Sequence, residues 1–102
     1  MALQDLSTTQ RQFLRRSAHA LKPTIQIGKN GITPQLIAGV GLELDAHELI
    51  KVKFMEFREE KRELAEDLAT QLAADLVALI GNTAILYRQQ RDPEKRKISL
   101  PW

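Results

Sequence analysis

The most chemically specific residues in this 102-residue chain are Gly28-Lys29-Asn30-Gly31 and the Thr33-Pro34 that follow them. Two glycines three positions apart strip the side chains from a turn, so bare backbone can come close to a ligand. Thr33 is a good hydroxyl cap and Pro34 suits the first helical position, so a helix should start there. The first amides of such a helix lack internal partners and sit at the positive end of its dipole, an arrangement that favours phosphate oxygens. Lys29 would add a point charge and Asn30 a neutral hydrogen-bonding group. The same four residues also make an ordinary tight turn. Alone, the loop leaves both readings open.

Other chemistries find little support. There is no cysteine, which removes disulfides, thiolate metal sites and cysteine nucleophiles together. His19 and His47 lie at separate helix ends, without the spacing a metal site needs, and His19 reads as a surface residue among arginines. His47-Glu48 falls at a helix-to-strand turn, where polar residues belong anyway. Glu59 and Glu60 are adjacent, but consecutive helical residues point about 100° apart and make no acid/base pair. Ser7, Ser17 and Ser99 have no nucleophile elbow around them. Gly28-Lys29 lacks the full spacing of a phosphate loop and its following Ser/Thr. The expectation is therefore no catalytic residue, no metal, no cofactor and no small-molecule substrate.

Charge is informative only when divided along the chain. The formal net charge is +2, yet residues 1–42 carry +4, residues 43–75 carry −5 and residues 76–102 carry +3. Two basic ends flank an acidic middle, and segregation of this kind concentrates potential on one surface. A length of 102 residues with 43% hydrophobic and 27% charged side chains fits one globular domain spanning 1–102. The longest apolar stretch is 76–80, too short for a membrane span, and MALQDLSTTQ resembles no export signal, so a cytoplasmic address is expected.

The elements that must position the loop alternate. Ser7 to Gln10 spells a capping box, and a helix over about 8–20 follows. Its wheel places Phe13, Leu14, Ser17, Ala18 and Leu21 on one side and Arg11, Arg15, His19 and Lys22 in a stripe on the other. Lys22-Pro23 stops it. Residues 24–27 alternate as a short half-buried strand leading into the loop. The second helix runs to about residue 46 on Leu36, Ile37, Val40 and Leu44. Gly39 and Gly41 interrupt it at about 1 kcal/mol each, unless they permit close approach to the sheet.

In 49–55, Ile50, Val52 and Phe54 face one way and Lys51 and Lys53 the other, giving a strand with one wet, basic face. Residues 58–73 read as a helix with Leu64, Leu68 and Leu72 inward and Glu59, Glu63 and Glu66 outward. Two last strands, 76–80 and 83–87, are joined tightly by Gly81-Asn82. The first is apolar throughout, so both of its faces should be covered. The basic tail from about residue 89 is expected to be mobile as far as Ile98-Ser99-Leu100-Pro101. The fold class is α/β, of the two-layer α+β type, in the order α-β-α-β-α-β-β. One four-stranded mixed sheet is flanked by three helices, the second and third on one face and the first on part of the other.

Stacking platforms are not obvious. Phe13, Phe54 and Phe57 read as core or core edge, Trp102 is the last residue, and Tyr87, beside Arg88, is the one candidate stacker. Backbone and shape recognition is favoured over a sheet that displays aromatics.

Several blocks together resemble the CRM domain (chloroplast RNA splicing and ribosome maturation) in its bacterial single-domain, YhbY-like form. They are Ala18-His19-Ala20-Leu21-Lys22-Pro23, Gln26-Ile27-Gly28-Lys29-Asn30-Gly31-Ile32-Thr33 and His47-Glu48-Leu49-Ile50-Lys51-Val52-Lys53. Ile80-Gly81-Asn82-Thr83-Ala84-Ile85-Leu86-Tyr87-Arg88 and Lys97-Ile98-Ser99-Leu100-Pro101 complete the set, in the family's order, from about Leu6 to Pro101. The resemblance implies a KH-like Gly-x-x-Gly loop on a fold similar to the C-terminal domain of a bacterial translation initiation factor. It also implies RNA binding and association with precursors of the large ribosomal subunit. The loop carries over as Gly28, Lys29, Asn30 and Gly31. Asn82 departs, because relatives often have a basic residue there, and Gly39 and Gly41 are unusual for that helix.

The expected protein is a non-enzymatic, monomeric RNA-binding protein of ribosome assembly. Gly28, Lys29, Asn30, Gly31 and Thr33 would hold the RNA backbone. Arg11, Arg15, Lys22, Lys51, Lys53 and Arg88 would supply attraction to phosphates. The alternative is a protein-interaction module docking through the acidic helix 58–73.

Overall fold

The computed structural model describes residues 6–101. The readings made on residues 1–5 and on Trp102 lie outside the described residues. Helix α1 (Thr8–Ser17) starts at a complete capping box: Gln10 N donates to Ser7 Oγ at 3.1 Å, and Ser7 N donates to Gln10 Oε1 at 3.0 Å. It tightens into a 3-10 turn, Ala18–Ala20, before strand β1 (Ile25–Ile27). Helix α2 (Pro34–His47) is capped by Thr33, whose Oγ1 accepts from Leu36 N at 3.1 Å, with Pro34 in its first turn. Strand β2 (Leu49–Phe54), helix α3 (Lys61–Gln71), and strands β3 (Asp75–Ile80) and β4 (Thr83–Tyr87) complete the order.

The four strands form one mixed sheet in the order β1-β2-β4-β3. β1 runs parallel to β2 with Ile27 opposite Phe54. β4 runs antiparallel to β2, with Lys53 opposite Thr83 and Leu49 opposite Tyr87. This register puts the 28–31 loop, residues 55–57 and the hairpin turn at one end of the sheet, with Glu48 and Arg88 at the other. Helices cover both faces. α2 and α3 pack with Ile27, Val40, Leu44, Ile50, Val52, Phe54, Leu68 and Leu86 in one core. On the reverse face Leu14 and Ala18 meet Leu49, Val77, Ile85 and Tyr87, with Ile98 and Leu100 from the tail against them. Alternation in β2 and β4 feeds both cores, which fixes the register: a one-residue slip would swap them.

Three expectations are corrected. The all-apolar 76–80 segment is an edge strand, only Val77 of it buried, whereas β4 is the covered one. Its edge is blunted by a register irregularity between Leu76 and Ala78. There Arg11 Nη1 donates to Leu76 O and Val77 O at 2.8 and 3.2 Å. Helix α3 begins at Lys61 rather than 58, with Phe57 in left-handed backbone (φ +57) ahead of it and no side chain capping its first turn. A turn with Glu60 N donating to Phe57 O fills the gap. The tail is pinned rather than loose. Glu48, 1% exposed, accepts from Gln90 N, Lys97 N and Ile98 N at 2.7, 2.7 and 2.9 Å, and Gln10 Nε2 donates to Pro101 O.

The glycines of α2 do not disturb it. A methyl group at Gly39 would lie 3.9 Å from Ile25 Cδ1, and one at Gly41 would lie 3.5 Å from Leu72 Cδ2, both ordinary contacts. No helix among the described residues is long and apolar enough to cross a membrane.

Candidate nucleic-acid interface

The 28–31 loop leaves β1 and is tied down at both ends. Ile27 O accepts from Met55 N and Glu56 N at 2.9 and 3.2 Å, and Gly31 N closes the turn onto Gly28 O at 3.0 Å. Gly31 has φ +67, the left-handed region that favours glycine, and a methyl group there would stand 3.4 Å from Phe57 Cε2. Gly28 is different. Its φ is not positive, and a side chain there would meet nothing within 4 Å. Neither backbone conformation nor internal packing demands glycine at that position. Lys29 and Asn30 stand exposed beside it, and the capped start of α2 follows at once.

A second basic feature lies on the α1 side of the sheet. Arg15 and His19 from α1 and its 3-10 turn face Lys51 and Lys53 of β2 across a groove of about 310 Å³, floored by Ile80, Thr83 and Ile85. Lys53 sits opposite Gln26 and Thr83, so the groove opens toward the same end of the sheet as the loop. Lys51 Nζ is tethered, donating to Leu21 O at 3.0 Å, which holds the chain after α1 against the sheet.

Other sequence-predicted cations go elsewhere. The Arg11 guanidinium is spent on the β3 carbonyls. Lys22 lines a separate depression with His47 and Lys97. Arg88, at the far end of the sheet, is a strut: it donates to Leu72 O, Gly41 O and Asp45 Oδ1 at 2.8, 3.1 and 2.8 Å. Asn82 accepts from Lys61 Nζ at 3.1 Å, fastening the hairpin turn to α3.

Two aromatics change roles. Tyr87 is fully buried and cannot stack on a base; its hydroxyl finds no hydrogen-bond partner among the described residues. Burial, reinforced by the nearby Glu48 charge, pushes its phenol up to about 12. Phe57, read as core or core edge, is instead 41% exposed, with φ +57, and its ring lies against Gly31. Its spacing from Leu64 and Leu68 would put it on their inner stripe in a helix extended back through it, which is why the sequence pattern hides it.

The chain matches the model of the CRS1 / YhbY (CRM) domain over residues 6–88. It belongs to this family. Two bacterial relatives match it over nearly their whole length. The Bacillus subtilis "Probable RNA-binding protein YqeI" is 39% identical over 97 residues, 94% of this chain and 99% of the relative. An RNA-binding protein of Haemophilus influenzae is 40% identical over 97 residues, 94% and 95% of the two chains. SAV1595 of Staphylococcus aureus, a candidate RNA-binding protein solved in solution, superimposes with a TM-score of 0.78 at 35% identity. It covers 95% of this chain and all of its own. The CRM assignment and the mixed four-stranded fold thus agree with the sequence reading. Among the described residues, no group of three or more His, Cys, Asp or Glu side chains could hold a metal ion.

Proposed function

We propose that this CRM protein is a non-enzymatic, cytoplasmic RNA-binding protein that holds the backbone of an RNA strand at the 28–31 loop and the start of α2. Arg15, His19, Lys51 and Lys53 would steer phosphates along the adjoining groove. The carrying observation is Gly28: the fold itself has no use for a glycine there, whereas a backbone approaching from outside does. The RNA-binding names of the relatives support the same partner. The finer reading, a monomer acting on ribosomal RNA of large-subunit precursors, rests on the family resemblance.

Binding isotherms at one salt concentration, with melts of each variant, test the loop. Lys29→Glu replaces an attractive phosphate contact by a repulsive one and should cost at least about tenfold in affinity, or 1.4 kcal/mol. As an exposed substitution it should move stability by less than about 0.5 kcal/mol. Gly31→Asp should weaken binding further and lose about 1 kcal/mol of stability, since φ is +67 there. Glu63→Lys, on the outer face of α3, should bind equally or slightly better. If Lys29→Glu binds like the parent while Glu63→Lys fails, the binding face is the acidic helix. Crosslinking in cells tests the finer reading: fragments scattered over messenger RNAs without ribosomal enrichment refute it.

A further inference from the structure

Exposed large apolar side chains gather at the loop end of the sheet. Of the five among the described residues, Met55 (38%), Phe57 (41%) and Ile80 (42%) all lie there. Met55 and Phe57 share one shallow depression with Glu56, Arg58, Glu59 and Glu60. The Phe57 ring borders the loop itself, with Cε2 3.4 Å and Cζ 3.6 Å from the position of a methyl group on Gly31. A bulky side chain at φ +57 is an outlier. Packing alone does not explain it, because the residue remains 41% exposed.

We propose that Phe57, with Met55 beside it, is a stacking platform for an unpaired nucleobase of the strand whose backbone the 28–31 loop holds. This rests on the loop reading and adds to it the part of the ligand that the loop cannot touch. A phosphate is held by amides and Lys29. An adjacent base must then go somewhere, and the nearest exposed surface with a π face is Phe57. The charges around the ring point the same way. Glu56, Glu59 and Glu60 outnumber Arg58 in that depression, so it repels phosphate and suits an uncharged base, whose amino groups can donate to carboxylates. Stacking on an aromatic is tolerant of base identity, so the site selects single strands rather than a sequence.

The test titrates the full chain with two short single strands: an adenine homopolymer and an abasic ribose-phosphate strand of equal length. Phe57→Asn removes the ring yet keeps a residue that accepts left-handed backbone. Phe57→Trp keeps a platform. On the homopolymer, Phe57→Asn should bind about tenfold more weakly, equal to 1.4 kcal/mol, with the salt slope unchanged because no phosphate contact is lost. Phe57→Trp should stay near the parent. On the abasic strand Phe57→Asn and the parent should bind alike. Parent-like binding of Phe57→Asn to the homopolymer, with Lys29→Glu impaired, overturns the platform and leaves the loop reading standing. An equal loss on both strands also overturns the platform, since the ring would then be shaping the loop. If Lys29→Glu binds like the parent while Phe57→Asn loses tenfold, the loop reading falls and the strand is not the one proposed. A parent that binds neither strand overturns both.

Discussion

Removing the Glu48 carboxylate should free the C-terminal tail, and the size of the effect follows from three bonds. Its oxygens accept from Gln90 N, Lys97 N and Ile98 N at 2.7–2.9 Å, and the side chain is 1% exposed. Hydrogen bonds to a charged group are worth roughly 1.5–3 kcal/mol each. Against that stands the desolvation of the carboxylate, several kcal/mol that truncation returns. Glu48→Ala should therefore cost about 3 kcal/mol net, because three donors lose their acceptor while the tail can partly detach and rehydrate them. Glu48→Gln keeps one oxygen but turns an amide donor toward a backbone donor, and should cost about 2 kcal/mol. For a domain of this size the alanine variant should then melt at least about 10 °C lower. The direct readout is amide hydrogen exchange. Gln90, Lys97 and Ile98 should lose protection in both variants, while amides in β2 and β4 keep theirs relative to global stability. A Glu48→Gln protein that melts with the parent and still protects those three amides would refute the pinning.

Two further predictions concern stability. Tyr87→Phe deletes a buried hydroxyl without a partner and should stabilise the protein by about 1 kcal/mol at neutral pH. With the folded phenol pushed up from 10.0 to about 12, the unfolded chain ionises first. Parental stability should be unaffected below pH 10 and fall between 10 and 12, by about 2 kcal/mol more than in the phenylalanine variant. Urea melts across that range check it; identical slopes would refute it. Gly39→Ala adds a methyl group 3.9 Å from Ile25 Cδ1, an ordinary contact, and should raise stability by about 0.5–1 kcal/mol in the same assay.

What was legible in the sequence was whatever a local rule decides. The capping box at Ser7, the Thr33-Pro34 start, the Gly81-Asn82 turn and the alternation through β2 each rest on residues within a few positions of one another, and each formed. What was hidden depended on distant partners. The 76–80 run is apolar at every position, which says it is strand-like but not that β4 would take the middle and leave it at the edge. Glu48 reads as a turn residue; its burial comes from amides 42 to 50 positions away. Phe57 reads inward only if α3 is extended backward, and its left-handed backbone, which takes it out of the helix, is not written in any local sequence signal.

The same distinction sharpens the electrostatic reading. The fold divides the basic side chains by what their donors do. Arg11, Lys51 and Arg88 give theirs to main-chain carbonyls. A carbonyl orients a cation without cancelling it, so Arg11 and Lys51 still contribute to the field that draws a polyanion in. Arg88 is also paired with Asp45 and contributes least. Directed contacts must come from cations whose hydrogens are unclaimed. Near the loop, Lys29, Arg15 and Lys53 have no partner among the described residues. Three such contacts predict a modest salt dependence, a slope of log affinity against log salt of about −2 for a single strand, at roughly −0.7 per phosphate. Lys29→Ala should lower that slope by about 0.7, and Arg11→Ala should leave it unchanged while loosening the edge of β3. A slope of about −4, the value for six contacts, would mean that Arg11, Lys51 and Arg88 leave their carbonyls to reach phosphate, and the division between steering and contact would fail.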